Sequence, residues 1–372
     1  MTIADIVMLT ATIIIWSLLI VNILLVIFGY VYYLKTDPVA PPPVEDEDAP
    51  FVSIMVPAHN EGIVIVRTVE ALLNFNYPQD RYEIIVINDN SSDNSAELLA
   101  NVQKKAVNRN LQIINTDNIT GGKGKSNALN IGFKQAKGDV IAIYDADNTP
   151  EPNALRYQLF KLCTIPGTNF IVRRSIIEAI GGWDDKALAE DTEISFRIYM
   201  MGYKIKFQPK AVTWEQEPQT LSVWFRQRTR WVKGNIYVIV KNAKLLFNPK
   251  ASRIRFDILY FLSIYFLLMT SLVLSDIMLV LSMSGYLTTT LQGFSNSLWL
   301  LAILLFIFST FVSITTEKGE MTLENILIIA LMYITYSQMW LVVAAYGMVM
   351  YIKENVFHKQ TQTKWYKTER FK

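Results

Sequence analysis

The chain has 372 residues, 51% of them hydrophobic and 18% charged, with a formal net charge of +2. No basic stripe with interleaved aromatics accompanies that balance, which excludes nucleic acid as a partner and points instead to one globular domain joined to membrane segments. A lone cysteine, Cys163, excludes an internal disulfide framework and a cysteine-based zinc site, and reads as a small buried apolar residue.

The first element, within residues 1–35, is the uncharged run from Met8 to Leu34, long enough to cross a hydrocarbon core with some tilt. It has neither the basic leader nor the small-residue cleavage site of a signal peptide, so it reads as an anchor. Residues 36–50 follow as a stiff, solvated linker rich in proline and acid.

From Phe51 the pattern alternates in type. Four short apolar strands, Phe51–Ala58, Tyr82–Asp89, Leu111–Asp117 and Val140–Asp147, are separated by helical stretches at 63–73, 95–106 and 125–135. Alternation of this kind predicts an α/β domain over 51–220, a mostly parallel sheet with helices on both faces that binds its ligand at the carboxyl ends of the strands. The polar residues fall at those ends: His59, Asn60 and Glu61 after the first strand, Asp89 after the second, Asp145 and Asp147 after the fourth. Two carboxylates so close to an apolar strand repel each other and resist desolvation unless something meets them. A solvated acidic turn would explain an isolated Asp-x-Asp. Its position after a fully apolar strand favours a hard divalent cation shared with a polyphosphate.

Gly121–Asn130 resembles a nucleotide triphosphatase loop, but Ile119 stands where that pattern needs glycine. A flexible loop and helix start explains it as well as a phosphate cradle with Lys125 does. Glu190 and Asp191 open an amphipathic helix. They either complement its dipole or supply a general base. Residues 221–255 read as interfacial amphipathic helices, with aromatic and basic side chains interleaved over Val223–Asn235; Arg228 and Arg230 are also candidates to clamp phosphates, and Trp231 to stack on a sugar. Further apolar stretches, Ile258–Met283, Leu298–Ile314 and Ile326–Tyr351, make 256–352 a membrane region, and 353–372 is a lysine-rich tail.

Taken together, Pro57-Ala-His-Asn-Glu61, Asp89, Gly124–Asn130, Asp145-Ala-Asp147, Glu190-Asp191 and the Gln-x-x-Arg-Trp of Gln227, Arg230 and Trp231 resemble membrane-bound processive family-two inverting glycosyltransferases, the cellulose, hyaluronan and poly-N-acetylglucosamine synthases. The resemblance implies a GT-A-like fold on the cytosolic side of a multi-pass cell-membrane protein. Its partners would be a UDP-sugar donor, a growing polysaccharide, membrane lipid and accessory secretion subunits. In that family's pattern Asp89 holds the uridine, Asp145 and Asp147 hold the diphosphate, Asp147 through Mg2+ or Mn2+, and Asp191 is the base. Gln227, Arg230 and Trp231 close over the diphosphate and border the polymer channel, and Gly167–Arg174 is the acceptor-side segment. Pro57, His59, Asn60, Glu61 and Lys125 belong to the donor side, and Glu190 accompanies the base.

One departure from the family is large. A further strand and several helices normally separate the Asp-x-Asp from the acceptor-side segment, and here only Asn148–Pro166 joins them. That shortening keeps a second class in play, a catalytically silent relative serving polysaccharide assembly. A non-processive transferase to a lipid acceptor is a third; it would keep the aspartates but has no need of Gln227, Arg230 and Trp231. Smaller departures are Asn90 and Ala189, where glycine and threonine are common. A cytosolic domain puts the uncharged Ser284–Ser297 loop outside. The basic tail then belongs inside, which requires one apolar segment to be interfacial or re-entrant.

Overall fold

The computed structural model describes residues 2–36, 46–160, 167–206, 208, 210–249, 252, 254–286, 292–317, 319–332 and 335–355. Cys163, much of the proline-rich linker and most of the basic tail therefore lie outside the described residues. The chain divides into two compact units, Met1–Ala40 with Arg255–Val349 and Pro41–Ile254 with Met350–Lys372.

In the first unit, α1 (Ile3–Thr36) is apolar all round, and Ile13, Ile20 and Phe28 are exposed on it, as expected of a helix whose solvent is lipid.

The second unit is built on strands β1 (Val52–Ala58), β2 (Tyr82–Asn88), β3 (Leu111–Asn115) and β4 (Val140–Ile143), interleaved with α2 (Ile65–Leu73), α3 (Ser95–Lys105) and α4 (Lys125–Gln135). There follow β5 (Thr149–Pro150), α5 (Ala154–Phe160), β6 (Phe170–Arg173), α6 (Arg174–Ile180), α7 (Glu190–Met200), β7 (Thr213–Trp214) and α8 (Leu221–Asn242). The main sheet has the order β3-β2-β1-β4-β6, parallel except for β6, which runs antiparallel to β4. β6 is an unanticipated strand, formed by the segment that the family resemblance assigns to the acceptor side.

Alternation along β1 and β2 divides the core in two. Ile54, Val56, Ile84 and Val86 pack with Ile65, Val69 and Leu72 of α2 and Leu99 of α3. Met55, Ile85 and Ile87 face the other way, onto Leu129 of α4 and Ile194 and Ile198 of α7. The predicted helices on both faces are thus present, within two residues of their expected starts. Burying both faces of β1 and β2 accounts for their nearly continuous apolar sequence.

The chain then returns to the first unit through α9 (Arg255–Leu262), a π-helical turn (Ser263–Leu268), α10 (Met269–Met283), α11 (Gln292–Thr315), α12 (Leu323–Met332) and α13 (Tyr336–Asn355). α1 packs against α10 and α11. Among the described residues two helical spans, Ile3–Lys35 and Ile258–Ser282, are long and apolar enough to cross a membrane. The last apolar stretch forms two helices bent by 45°, the geometry of a broken span or a re-entrant loop.

Candidate active site

A cavity of about 370 Å3 opens at the carboxyl edge of the sheet in the second unit. It collects ten of the residues singled out by sequence: Pro57 near the end of β1 and Glu61 after it, Lys125 at the start of α4, Asp145 and Asp147 after β4, Glu190 and Asp191 at the start of α7, and Gln227, Arg230 and Trp231 on α8.

The Asp-x-Asp is anchored through the residue between its carboxylates. Thr68 of α2, fully buried, donates to the carbonyl of Ala146 at 2.7 Å, and the backbone N–H of Asp145 donates to Thr168 Oγ1 at 2.9 Å and Asn148 Oδ1 at 3.0 Å. The backbone is therefore fixed from both sides of the turn. Lys125 meets the first acid. Its ammonium lies 2.7 Å from Asp145 Oδ1 and 2.7 Å from Glu190 Oε1, and it donates to the carbonyl of Gly167 at 2.8 Å. Burial alone would lower the lysine pKa, but the carboxylates of Asp145 and Glu190 hold it above the ordinary range. The cation keeps two carboxylates from different elements side by side.

Asp191 sits close to the backbone of Gly167, which takes φ +82°; a Cβ there would stand 3.2 Å from Asp191 Oδ2. Burial first and the neighbouring Glu190 charge second raise the Asp191 pKa to about 6, with Lys125 pulling the other way. A partly buried carboxyl poised near neutrality suits a general base. Helix α8 reaches this point because Gly234 lacks a side chain: a Cβ there would lie 2.9 Å from Ala189 Cβ and 2.9 Å from Ala189 N. Farther along, Lys241 is 2.7 Å from Asp184 and 2.6 Å from Glu193, fastening α8 to α7.

Three predicted donor residues are absent from the cavity wall. His59 Nδ1 is 2.6 Å from the carbonyl of Asp89, and Asn60 Oδ1 accepts from the N–H groups of Ser92 and Asp93 at 2.6 and 3.2 Å, with φ +56° at Asn60. Both tie the loops after β1 and β2 together. Asp89 is fully buried. Its Oδ1 accepts from Thr116 Oγ1 at 2.8 Å and Gly122 N–H at 3.0 Å, while Oδ2 has no hydrogen-bond partner among the described residues. The glycine-rich segment thus folds over Asp89, and Asn90, at φ +49°, takes a conformation that asparagine tolerates nearly as well as glycine.

Sequence reasoning missed Glu215, Gln216 and Glu217, which also line the cavity. The two-residue ladder of β5 with β7 carries them beside the Asp-x-Asp turn. Two residues are too few for a strand signal; only the acids themselves were visible. Around the cavity Glu61, Asp145, Asp147, Glu190, Asp191, Glu215 and Glu217 face Lys125 and Arg230. No group of three metal-ligating side chains converges among the described residues. The donor set fits a Mg2+ or Mn2+ ion held by one or two carboxylates with substrate phosphates completing its shell, and an all-protein cage is absent among those residues.

A parallel sheet ending in an Asp-x-Asp, with a buried carboxyl at a facing helix start, defines the GT-A class of sugar-nucleotide transferases. The model of glycosyl transferase family 2 matches residues 53–240, and that of glycosyl transferase family group 2 matches residues 153–352. The chain belongs to glycosyl transferase family 2. It is 40% identical to "Probable glycosyltransferase YdaM" of Bacillus subtilis (strain 168) over 406 positions, covering 96% of each chain. Poly-beta-1,6-N-acetyl-D-glucosamine synthase of Staphylococcus epidermidis is 26% identical over 245 residues, 53% of this chain and 58% of that protein. Among solved structures, the mannosyltransferase PcManGT of Pyrobaculum calidifontis, in complex with GDP-Man and Mn2+, superposes with a TM-score of 0.65 at 18% identity. It covers 94% of this chain and 100% of that one, a likeness of fold.

Proposed function

We propose that this family-2 glycosyltransferase is an integral membrane enzyme that moves a sugar from a UDP-sugar to a growing polysaccharide with inversion, coupled to export. The observation that carries the proposal is the convergence of Asp145, Asp147, Asp191, Gln227, Arg230 and Trp231 on one cavity. Asp191 accepts the proton of the acceptor hydroxyl. The hydroxyl oxygen bonds to the anomeric carbon as the bond from that carbon to UDP breaks on the opposite face, and the electron pair leaves with the diphosphate. Arg230 supplies positive charge toward that leaving group, while Lys125 offsets the charges of Asp145 and Glu190 beside it. A wall so rich in carboxylates repels a diphosphate unless a divalent cation intervenes. Asp147, with Asp145, would hold Mg2+ or Mn2+, whose chemistry is to neutralise the departing UDP. The apolar helices and the relatedness to a polysaccharide synthase support a membrane location and a glycan acceptor.

A catalytically silent assembly subunit is the second reading, favoured by the short connection from Asn148 to Pro166. The span matched in YdaM, 406 positions, exceeds this whole chain, so that relative carries segments that are lacking here. UDP release by the purified protein in nanodiscs, with Mn2+ or Mg2+ and a panel of UDP-sugars, decides between them. Release with one donor, lost in Asp191→Asn, is the expected result. Silence with every donor from folded, UDP-binding protein overturns the enzymatic reading.

A further inference from the structure

We propose that Arg228 is the positioning residue that fixes Trp231 against the acceptor side of the cavity and couples it to the Glu215–Glu217 segment; this rests on the proposed function, with Trp231 bordering the polymer channel as the family resemblance implies. Arg228 is absent from the cavity wall. It lies one helical turn before Trp231 on α8, so the two share a face. Its guanidinium carbon stands 3.9 Å from the centroid of the Trp231 ring, and Nη2 donates to Glu217 Oε2 at 2.9 Å.

The arginine is 6% exposed, and its Nε and Nη1 are buried without a hydrogen-bond partner among the described residues. A guanidinium so desolvated is compensated by what touches it, here one carboxylate and one aromatic face. Both of those groups do line the cavity. The Glu217 side chain is 65% exposed and Trp231 is 41% exposed, so neither is held by burial of its own. Arg228 is the rigid member of the set, and the indole and the loop acid are oriented from behind by it. Its planar fork bonds and stacks at once, which a lysine cannot reproduce in full. The role is orientation of an acceptor-binding surface, with no part in the chemical step.

The test uses the full chain in nanodiscs. The Trp231 contribution to fluorescence is isolated by subtracting Trp231→Phe, in wild type, Arg228→Met, Arg228→Lys, Glu217→Gln and the Met/Gln double variant. In folded Arg228→Met the Trp231 component should become more accessible to acrylamide. Lysine should restore part of the protection, and adding Glu217→Gln should change nothing further. With the donor identified by UDP release and an oligosaccharide of the same sugar as acceptor, acceptor KM should rise about tenfold, the scale of a desolvated cation–π contact, while kcat stays within about twofold. An unchanged Trp231 signal in folded Arg228→Met, full additivity with Glu217→Gln, or a rise in donor KM in place of acceptor KM overturns the proposal. The fluorescence arm needs no turnover, so an inactive wild type would sink the enzymatic reading while the stack is still judged.

Discussion

Asp145 and Asp147 leave a strand whose residues are all buried, whereas Glu217 and Trp231 stand on the segment after a two-residue ladder and on a half-exposed helix face, joined through Arg228 by one ion pair and one stacked ring. The first end of the cavity is fixed by backbone: parallel pairing to β1, and Thr68 clasping the carbonyl of Ala146. The second end is fixed by side chains, with Gly234 admitting α8 and Lys241 fastening it. Backbone pairing tolerates changes in side chains, while a wall set by side-chain contacts can be retuned by a single substitution. Under the proposed function these are a donor end that is hard to move and an acceptor end that is easy to adjust, a division by which one fold could serve different acceptors.

Substitutions should break that contrast to graded extents. Asp191→Asn sits where the two ends meet, and transfer should fall by about 10²–10⁴-fold with UDP affinity nearly unchanged, measured by UDP release and titration calorimetry. Removing divalent metal with a chelator acts on the donor end alone and should weaken UDP binding by on the order of tenfold, as should Asp147→Asn. Gly234→Ala acts on the acceptor end, pressing a methyl into Ala189. Acceptor KM should rise with donor KM unchanged, and stability should drop by about 1–3 kcal/mol in thermal unfolding.

Protonation adds a finer probe. Asp191 must be ionised to act as a base, so kcat/KM should climb as pH rises through about 6 and level above it. Its folded pKa lies above the ordinary value of 3.8, so its contribution to stability is present below about pH 4 and is lost as pH rises through about 6. Asp191→Asn should therefore stabilise the protein at pH 8, on the order of 2 kcal/mol, and not at pH 4. The smallest effect belongs to Asn60→Ala, which loses two backbone-capping bonds at a positive φ. About 1 kcal/mol of stability should go without a change in donor KM, because Asn60 braces loops and does not line the cavity.

The sequence by itself determined the strands β1 to β4, the three helices between them and the acids at the strand ends. Period-two burial and 3.6-residue amphipathicity are local signals, and a parallel sheet places its strand ends at one edge whatever follows. It also marked Glu190-Asp191 and Gln227-x-x-Arg230-Trp231, though only by their resemblance to a family.

Tertiary structure alone decided the rest. That His59 and Asn60 brace loops, that Lys125 is engaged by Asp145 and Glu190, and that Arg228 lies behind the wall bonded to Glu217 depend on partners 11 to 65 residues away. The bend between α12 and α13 and the antiparallel β6 likewise depend on what packs beside them, because a short apolar segment reads alike as a strand, a helix or a broken span until its neighbours satisfy its backbone.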